Sequence, residues 1–151
     1  MSSRKPISHL FMSKTIAALD VGTKRIGVAL ADGVARLPRP YTTLANDSAL
    51  WQNLRQLLNE CNVAILVVGL PRNLSGDDTA QTHYTQEFVA RLQEAVDIPV
   101  HTIDEAGTSR QAQSELQAKK KPFNKAAIDA LAAAYILEDF LATQQSIAKQ
   151  K

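Results

Sequence analysis

Asp20, the pair Asp104-Glu105 and Asp129 are the residues whose placement asks for a chemical explanation. Asp20 ends the apolar run Ile16-Ala17-Ala18-Leu19, just before a turn through Gly22-Thr23-Lys24. A carboxylate abutting a core strand is costly unless something positive compensates it. Two readings compete: Asp20 caps the turn, as turn aspartates commonly do, or it is a metal ligand. The second requires further acids at the same place. Asp104 and Glu105 end the apolar run Val100–Ile103, although they could instead compensate the dipole of a helix opening near Thr108. Asp129 shares a helical face with Ala126, Ala132, Ala133 and Ile136. Its plain alternative is an ion pair with Lys125 or another base. Three acids held together repel one another, and a hard divalent cation relieves that repulsion. Two magnesium or manganese ions about 4 Å apart would activate water and stabilise a leaving oxygen in phosphodiester hydrolysis. Zinc is disfavoured, because His9, His83 and His101 lack ligand spacing and Cys61 is alone.

The elements that must position these acids can be read in order. Thr15 to Asp32 predicts a β-hairpin. Pro38 and Pro40 place an edge strand near 38–44. Asn46-Asp47-Ser48 offers caps for a helix carrying Trp51, Leu54, Leu57 and Leu58, with Trp51 expected to pack against the sheet. The continuous run Val63–Val68 predicts a strand covered on both faces. Gly69-Leu70-Pro71 and a polar loop follow it. A helix is expected from near Asp77, with Ala80, Tyr84, Phe88, Leu92 and Val96 spaced by four. After the strand ending in Asp104-Glu105, Thr108 and Gln111 suggest a capped helix stopped by Lys119-Lys120-Lys121-Pro122. Asn124 caps a last, alanine-rich helix to about Thr143.

These expectations make a mixed α/β protein with a five-stranded sheet in the order 3-2-1-4-5. Strand 2 is antiparallel and helices cover both faces. Asp20 and Glu105 then lie two strand spacings apart, about 10 Å between backbones, at the carboxyl edge where α/β sites form. We expect a single domain over 14–143, an N-terminal extension over 1–13 and a polar tail over 144–151.

Composition narrows the class. Of the 151 residues 45% are hydrophobic and 21% charged, as in an ordinary globular domain. Cys61 is the one cysteine, so no internal disulfide forms, and a buried structural thiol is expected. No run reaches the roughly 20 residues of a membrane span, and no export signal is legible, so a cytoplasmic location is expected. The net charge of +2 does not itself argue for nucleic acid. The distribution does better: Lys24, Arg25, Arg72 and Lys125 fall near the acids, together with the lysine triplet, which a solvated helix end also explains. Such a surface would contact phosphates and shape rather than read base sequence.

Four segments in order, LDVGTKRIGVALAD, VVGLPRNLSGDD, IDEAGTS and NKAAIDALAAAYIL, resemble the YqgF family, also called RuvX. The resemblance covers Thr15 to Leu141. It implies an RNase H-like fold, kinship with Holliday junction resolvases, and a nuclease that matures the 5′ end of 16S ribosomal RNA precursors. It also implies catalytic carboxylates at Asp20, the Asp104-Glu105 pair and Asp129. Glu105 is favoured within the pair, so Asp20, Glu105 and Asp129 are the expected metal ligands. Gly69, Pro71, Arg72 and Asn73 should face the substrate, along with Lys24, Arg25 and Lys125. One departure stands out. Ala106 occupies the position where the family carries an arginine, and Arg110, one helical turn on, could substitute. The expected partner is structured RNA or branched DNA, bound by a monomer or weak homodimer. Three alternatives accompany this reading: a resolvase, a non-catalytic RNA-binding assembly factor, and an ATP-binding module like the actin and sugar-kinase type, suggested by Asp20-Val21-Gly22-Thr23.

Overall fold

The computed structural model describes residues 14–105, 114–115 and 124–149, with side chains to 144. Strands β1 (Thr15–Val21), β2 (Arg25–Asp32) and β3 (Arg39–Ala45) lead into helix α1 (Leu50–Glu60). Then follow β4 (Val63–Pro71), α2 (Ala80–Ala95), β5 (Val100–Glu105) and α3 (Lys125–Lys149). The sheet order is β3-β2-β1-β4-β5. β1 pairs antiparallel with β2 and parallel with β4; β3 is antiparallel to β2, and β5 parallel to β4. This is the expected topology, with β1 central.

The alternation of β1 explains where its acid goes. Ala17, Leu19 and Val21 pack with Leu54 of α1 and Phe88 and Leu92 of α2 on one face. Ile16 and Ala18 pack with Ala133, Ile136 and Leu137 of α3 on the other. Side chains two residues apart share a face, so Asp20 lies on the α3 side.

Two glycines let α3 come close. Gly27 opposes Asp20 across the β1–β2 ladder. A Cβ on Gly27 would stand 2.0 Å from the Asp129 carbonyl oxygen, so the helix backbone rests directly on the strand. On the other side of β1, a Cβ on Gly69 would meet Cδ1 of Ile136 at 2.5 Å. Ala132 and Ala133 are fully buried in the same interface. Thr43 of β3 donates to the Ala126 carbonyl (2.7 Å) and pins the first turn of α3.

Several local expectations shift. α1 opens at Leu50 without a side-chain cap on its N-cap residue Ala49; Asp47 Oδ1 instead accepts from the Ala49 N–H at 2.9 Å. Trp51 packs on the core by stacking on Phe88 of α2, ring centroids 5.2 Å apart. α2 starts at Ala80 rather than near Asp77, because Asn73 Oδ1 captures the Asp77 N–H (2.8 Å) and Thr79 forms a capping box with Thr82. Asn124 Oδ1 accepts from Ala127 N–H (2.9 Å), the expected cap of α3, which runs past Thr143 to Lys149. Cys61 is a half-buried free thiol against the core. The 1–13 extension and the expected Thr108 cap and lysine-proline stop lie outside the described residues. No described helix is long and apolar enough to cross a membrane.

Candidate active site

Asp20, Glu105 and Asp129 line one cleft of about 660 Å³ at the carboxyl edge of the sheet. Each arrives from a different element. Asp20 is the next-to-last residue of β1, Glu105 is the last residue of β5, and Asp129 sits in the second turn of α3. β4 lies between β1 and β5 and contributes Gly69, against which Ile136 of α3 packs; a Cβ there would also stand 3.4 Å from Glu105 Cγ.

The pleat separates the Asp104-Glu105 pair. Consecutive strand residues point to opposite faces. Glu105 is turned inward and only 9% exposed. The Asp104 side chain is 67% exposed and accepts from Arg72 Nη2 at 3.2 Å. Asp104 is therefore a surface partner of Arg72 and not a wall of the cleft, whereas the choice of the longer acid lands inside it.

The electrostatics of the three acids are strained. Burial, and next the charge of Asp129, pushes the Asp20 carboxyl up from 3.8 to about 7. Burial also pushes Glu105 up to about 8, helped by its hydrogen bond to Asp139 and by the charges of Asp139, Asp104 and Asp20. Glu105 Oε1 is buried with no hydrogen-bond partner. Asp129 Oδ2 accepts from Arg25 Nε at 2.7 Å. The ion pair considered for Asp129 therefore exists, but its base is Arg25 of β2 rather than Lys125, and it offsets only one of three charges.

A hard cation fits this donor set: oxygen ligands, excess negative charge, and one buried carboxylate oxygen without a partner. Among the described residues no three acids, thiols or imidazoles already stand in a ligating arrangement.

Lys24, Arg25, Gly69, Pro71, Arg72 and Asn73 also line the cleft. Arg72 is tied to Asp78 and Asp104. Its N–H donates to the Glu105 carbonyl at 2.8 Å. Lys125 is exposed at the start of α3 and does not line the cleft. Ala106 and Arg110 lie outside the described residues. Three participants escaped the sequence reading. Gly27 carries a weak signal, since glycine inside a strand often marks a close backbone approach. Gln81 lines the cleft while donating to the Val21 carbonyl (2.9 Å). Asp139 is exposed yet reaches Glu105; it lies three residues after the inward-facing Ile136, one helical turn along.

A mixed sheet with this strand order under a closely packed last helix places the chain in the RNase H-like fold class. The solved structures agree on the fold. "T. thermophilus RuvC in complex with Holliday junction substrate" superposes with a TM-score of 0.54 at 16% identity, over 87% of this chain and 96% of that one. The fowlpox virus resolvase bound to Holliday junction DNA gives 0.51 at 10% identity, over 86% and 98%. Within that class the chain belongs to the RuvX family, whose model, described as "RuvX: Holliday junction resolvase", matches residues 14–143. It is a family of nucleases, acting on nucleic acid. Curated relatives named "Putative pre-16S rRNA nuclease" include one from Roseiflexus sp. (strain RS-1), 40% identical over 134 residues, covering 86% of this chain and 95% of the relative. Another, from Sulfurihydrogenibium sp. (strain YO3AOP1), is 36% identical over 128 residues, covering 83% and 88%.

Proposed function

We propose that this chain is a divalent-metal-dependent endonuclease that hydrolyses phosphodiester bonds at the 5′ end of 16S ribosomal RNA precursors. The observation that carries the reading is the meeting of Asp20, Glu105 and Asp129 in one cleft. The names of the relatives supply the substrate. Asp20, Glu105 and Asp129 would hold magnesium or manganese, as two ions, which would supply an activated water and charge stabilisation for the leaving oxygen. Lys24 and Arg72 draw the phosphate backbone to the cleft mouth. Arg25 orients Asp129. Gly69, Pro71 and Asn73 shape the substrate floor. Lys125 adds a basic approach, and Arg110 serves as the phosphate contact that Ala106 cannot. The unit is a single domain over 14–143, acting in the cytoplasm as a monomer or weak homodimer.

Branched DNA is the second reading, favoured by the description of the matching family model. Incubating the protein with magnesium or manganese and either a 5′-extended 16S precursor or a four-way DNA junction separates the two. The proposal expects cleavage of the RNA, lost in Asp129→Asn. Cleavage of the junction alone transfers the same site to the second reading. Binding without cleavage of either substrate would instead favour a non-catalytic assembly factor.

A further inference from the structure

Four large apolar side chains stand exposed among the described residues: Val34, Leu37, Tyr41 and Leu74. Only Leu74 lines the acidic cleft, and at 84% it is the most exposed of the four. A lone exposed leucine is ordinary on a protein surface. This one is held out by a turn built for it. Asn73 Oδ1 accepts from the Ser75 and Asp77 N–H groups (3.0 and 2.8 Å). The Asn73 N–H donates to the Asp77 carbonyl (3.1 Å), and the Gly76 N–H to the Asn73 carbonyl (2.9 Å). Gly76 takes φ +82°, a conformation that suits glycine. The base of the turn is fixed as well. Arg72 N–H is bonded to the Glu105 carbonyl, the Arg72 guanidinium is paired with Asp78 and Asp104, and Thr82 Oγ1 bonds the Pro71 carbonyl. Leu74 is thus joined through one short, braced segment to the backbone of Glu105, whose side chain lines the site.

We propose that Leu74 is a nucleobase wedge, which enters the base stack beside the scissile phosphate and spreads the strand across the acids. The proposal rests on the nuclease reading of the cleft. Lys24 offers charge to a backbone, the Arg72 guanidinium is tied to Asp78 and Asp104, and Leu74 supplies an apolar surface for the face of a base. Aliphatic side chains inserted between base steps unstack and kink nucleic acids in this way. A rigid turn suits the task, because a mobile side chain would fold back instead of separating bases. The wedge needs no hydrogen bond to a base edge, so it selects deformable or already unpaired positions rather than a sequence.

The test uses an RNA hairpin with a single-stranded 5′ extension, carrying 2-aminopurine at successive positions. Asp20→Asn protein is compared with the same protein also carrying Leu74→Ser or Leu74→Phe. Binding is followed by anisotropy and unstacking by fluorescence. Cleavage is measured in the Leu74 single variants. The proposal expects a fluorescence rise at one or two positions with Asp20→Asn alone, lost with Leu74→Ser and kept with Leu74→Phe. It expects affinity within about threefold throughout, and cleavage by Leu74→Ser reduced about tenfold. A rise that survives Leu74→Ser, with cleavage unchanged, overturns the wedge while leaving the nuclease intact. A smaller oligomer on Leu74→Ser with unaltered fluorescence assigns Leu74 to self-association and also overturns it. Wild-type protein that neither binds nor cleaves nucleic acid overturns the nuclease reading first, and the wedge with it.

Discussion

At the scale of single residues, the chemistry turns on carboxylates that resist ionising. Asp20 is pushed to about 7 in the fold by burial and Asp129. Between its ordinary value and that raised one, the folded protein binds a proton that the unfolded chain has released. Glu105, raised to about 8, acts in the same direction, so stability without metal must fall as pH rises from about 4 to 8 and level off above. Melting curves in EDTA across that range should show the decline, and Asp20→Asn should make it shallower, leaving the part due to Glu105. Metal binding has the opposite dependence, because a cation competes with those protons. Manganese affinity should strengthen from pH 6 to 9, through the raised values of Asp20 and Glu105. Asp139→Asn removes a negative charge beside Glu105 and should move that titration to lower pH, read as manganese binding extending to more acidic solutions. The acids themselves were legible in the sequence as carboxylates against apolar runs. Their partners were not. Nothing in the spacing of Arg25 and Asp129, which lie on separate elements, ties them together. Arg72 meets Asp104 only because the strand pleat turns that side chain outward.

At the scale of elements, the site depends on how closely α3 lies on the sheet. The sequence showed alanines sharing the face of Asp129 on α3. It did not show where the helix touches down, because that register depends on tertiary packing. The contact falls at Gly27, directly across the ladder from Asp20. A methyl group there meets backbone atoms, not a pliable side chain, so the helix must move. Gly27→Ala should destabilise the protein by about 1–3 kcal/mol, the range for overpacking, as read by urea unfolding. It should also lower activity about a hundredfold through misplacement of Asp129. A variant that melts earlier but keeps full activity at low temperature would separate helix position from catalysis and refute that link. The topology was easier to read than the contacts. Short turns demand antiparallel neighbours and helical crossovers demand parallel ones, so the order β3-β2-β1-β4-β5 followed from connection lengths. Helix starts were less legible, since the side chains of Asp47 and Asn73 were spent on turns rather than caps.

At the scale of the whole molecule, charge is nearly balanced, at +2 over 151 residues. Attraction for a polyanion must therefore come from local placement. In the cleft Arg25 is paired with Asp129 and Arg72 with Asp78 and Asp104, while Lys24 has no ion pair among those described. We expect a shallow salt dependence of RNA binding, with a log–log slope of about −2 and not the steep one of an extended basic face. Lys24→Ala should reduce that slope by roughly one contact, about 0.7–0.9. Anisotropy titrations at several potassium concentrations measure both.

The central claim is that Asp20, Glu105 and Asp129 act as one cation-binding unit. Manganese titration followed by the electron paramagnetic resonance of the free ion tests it most directly, on the wild type and on Asp20→Asn, Glu105→Gln and Asp129→Asn. Two ions are expected on the wild type, with at least one site lost or weakened more than about tenfold in every variant. Three variants that each bind manganese as the wild type does would contradict it.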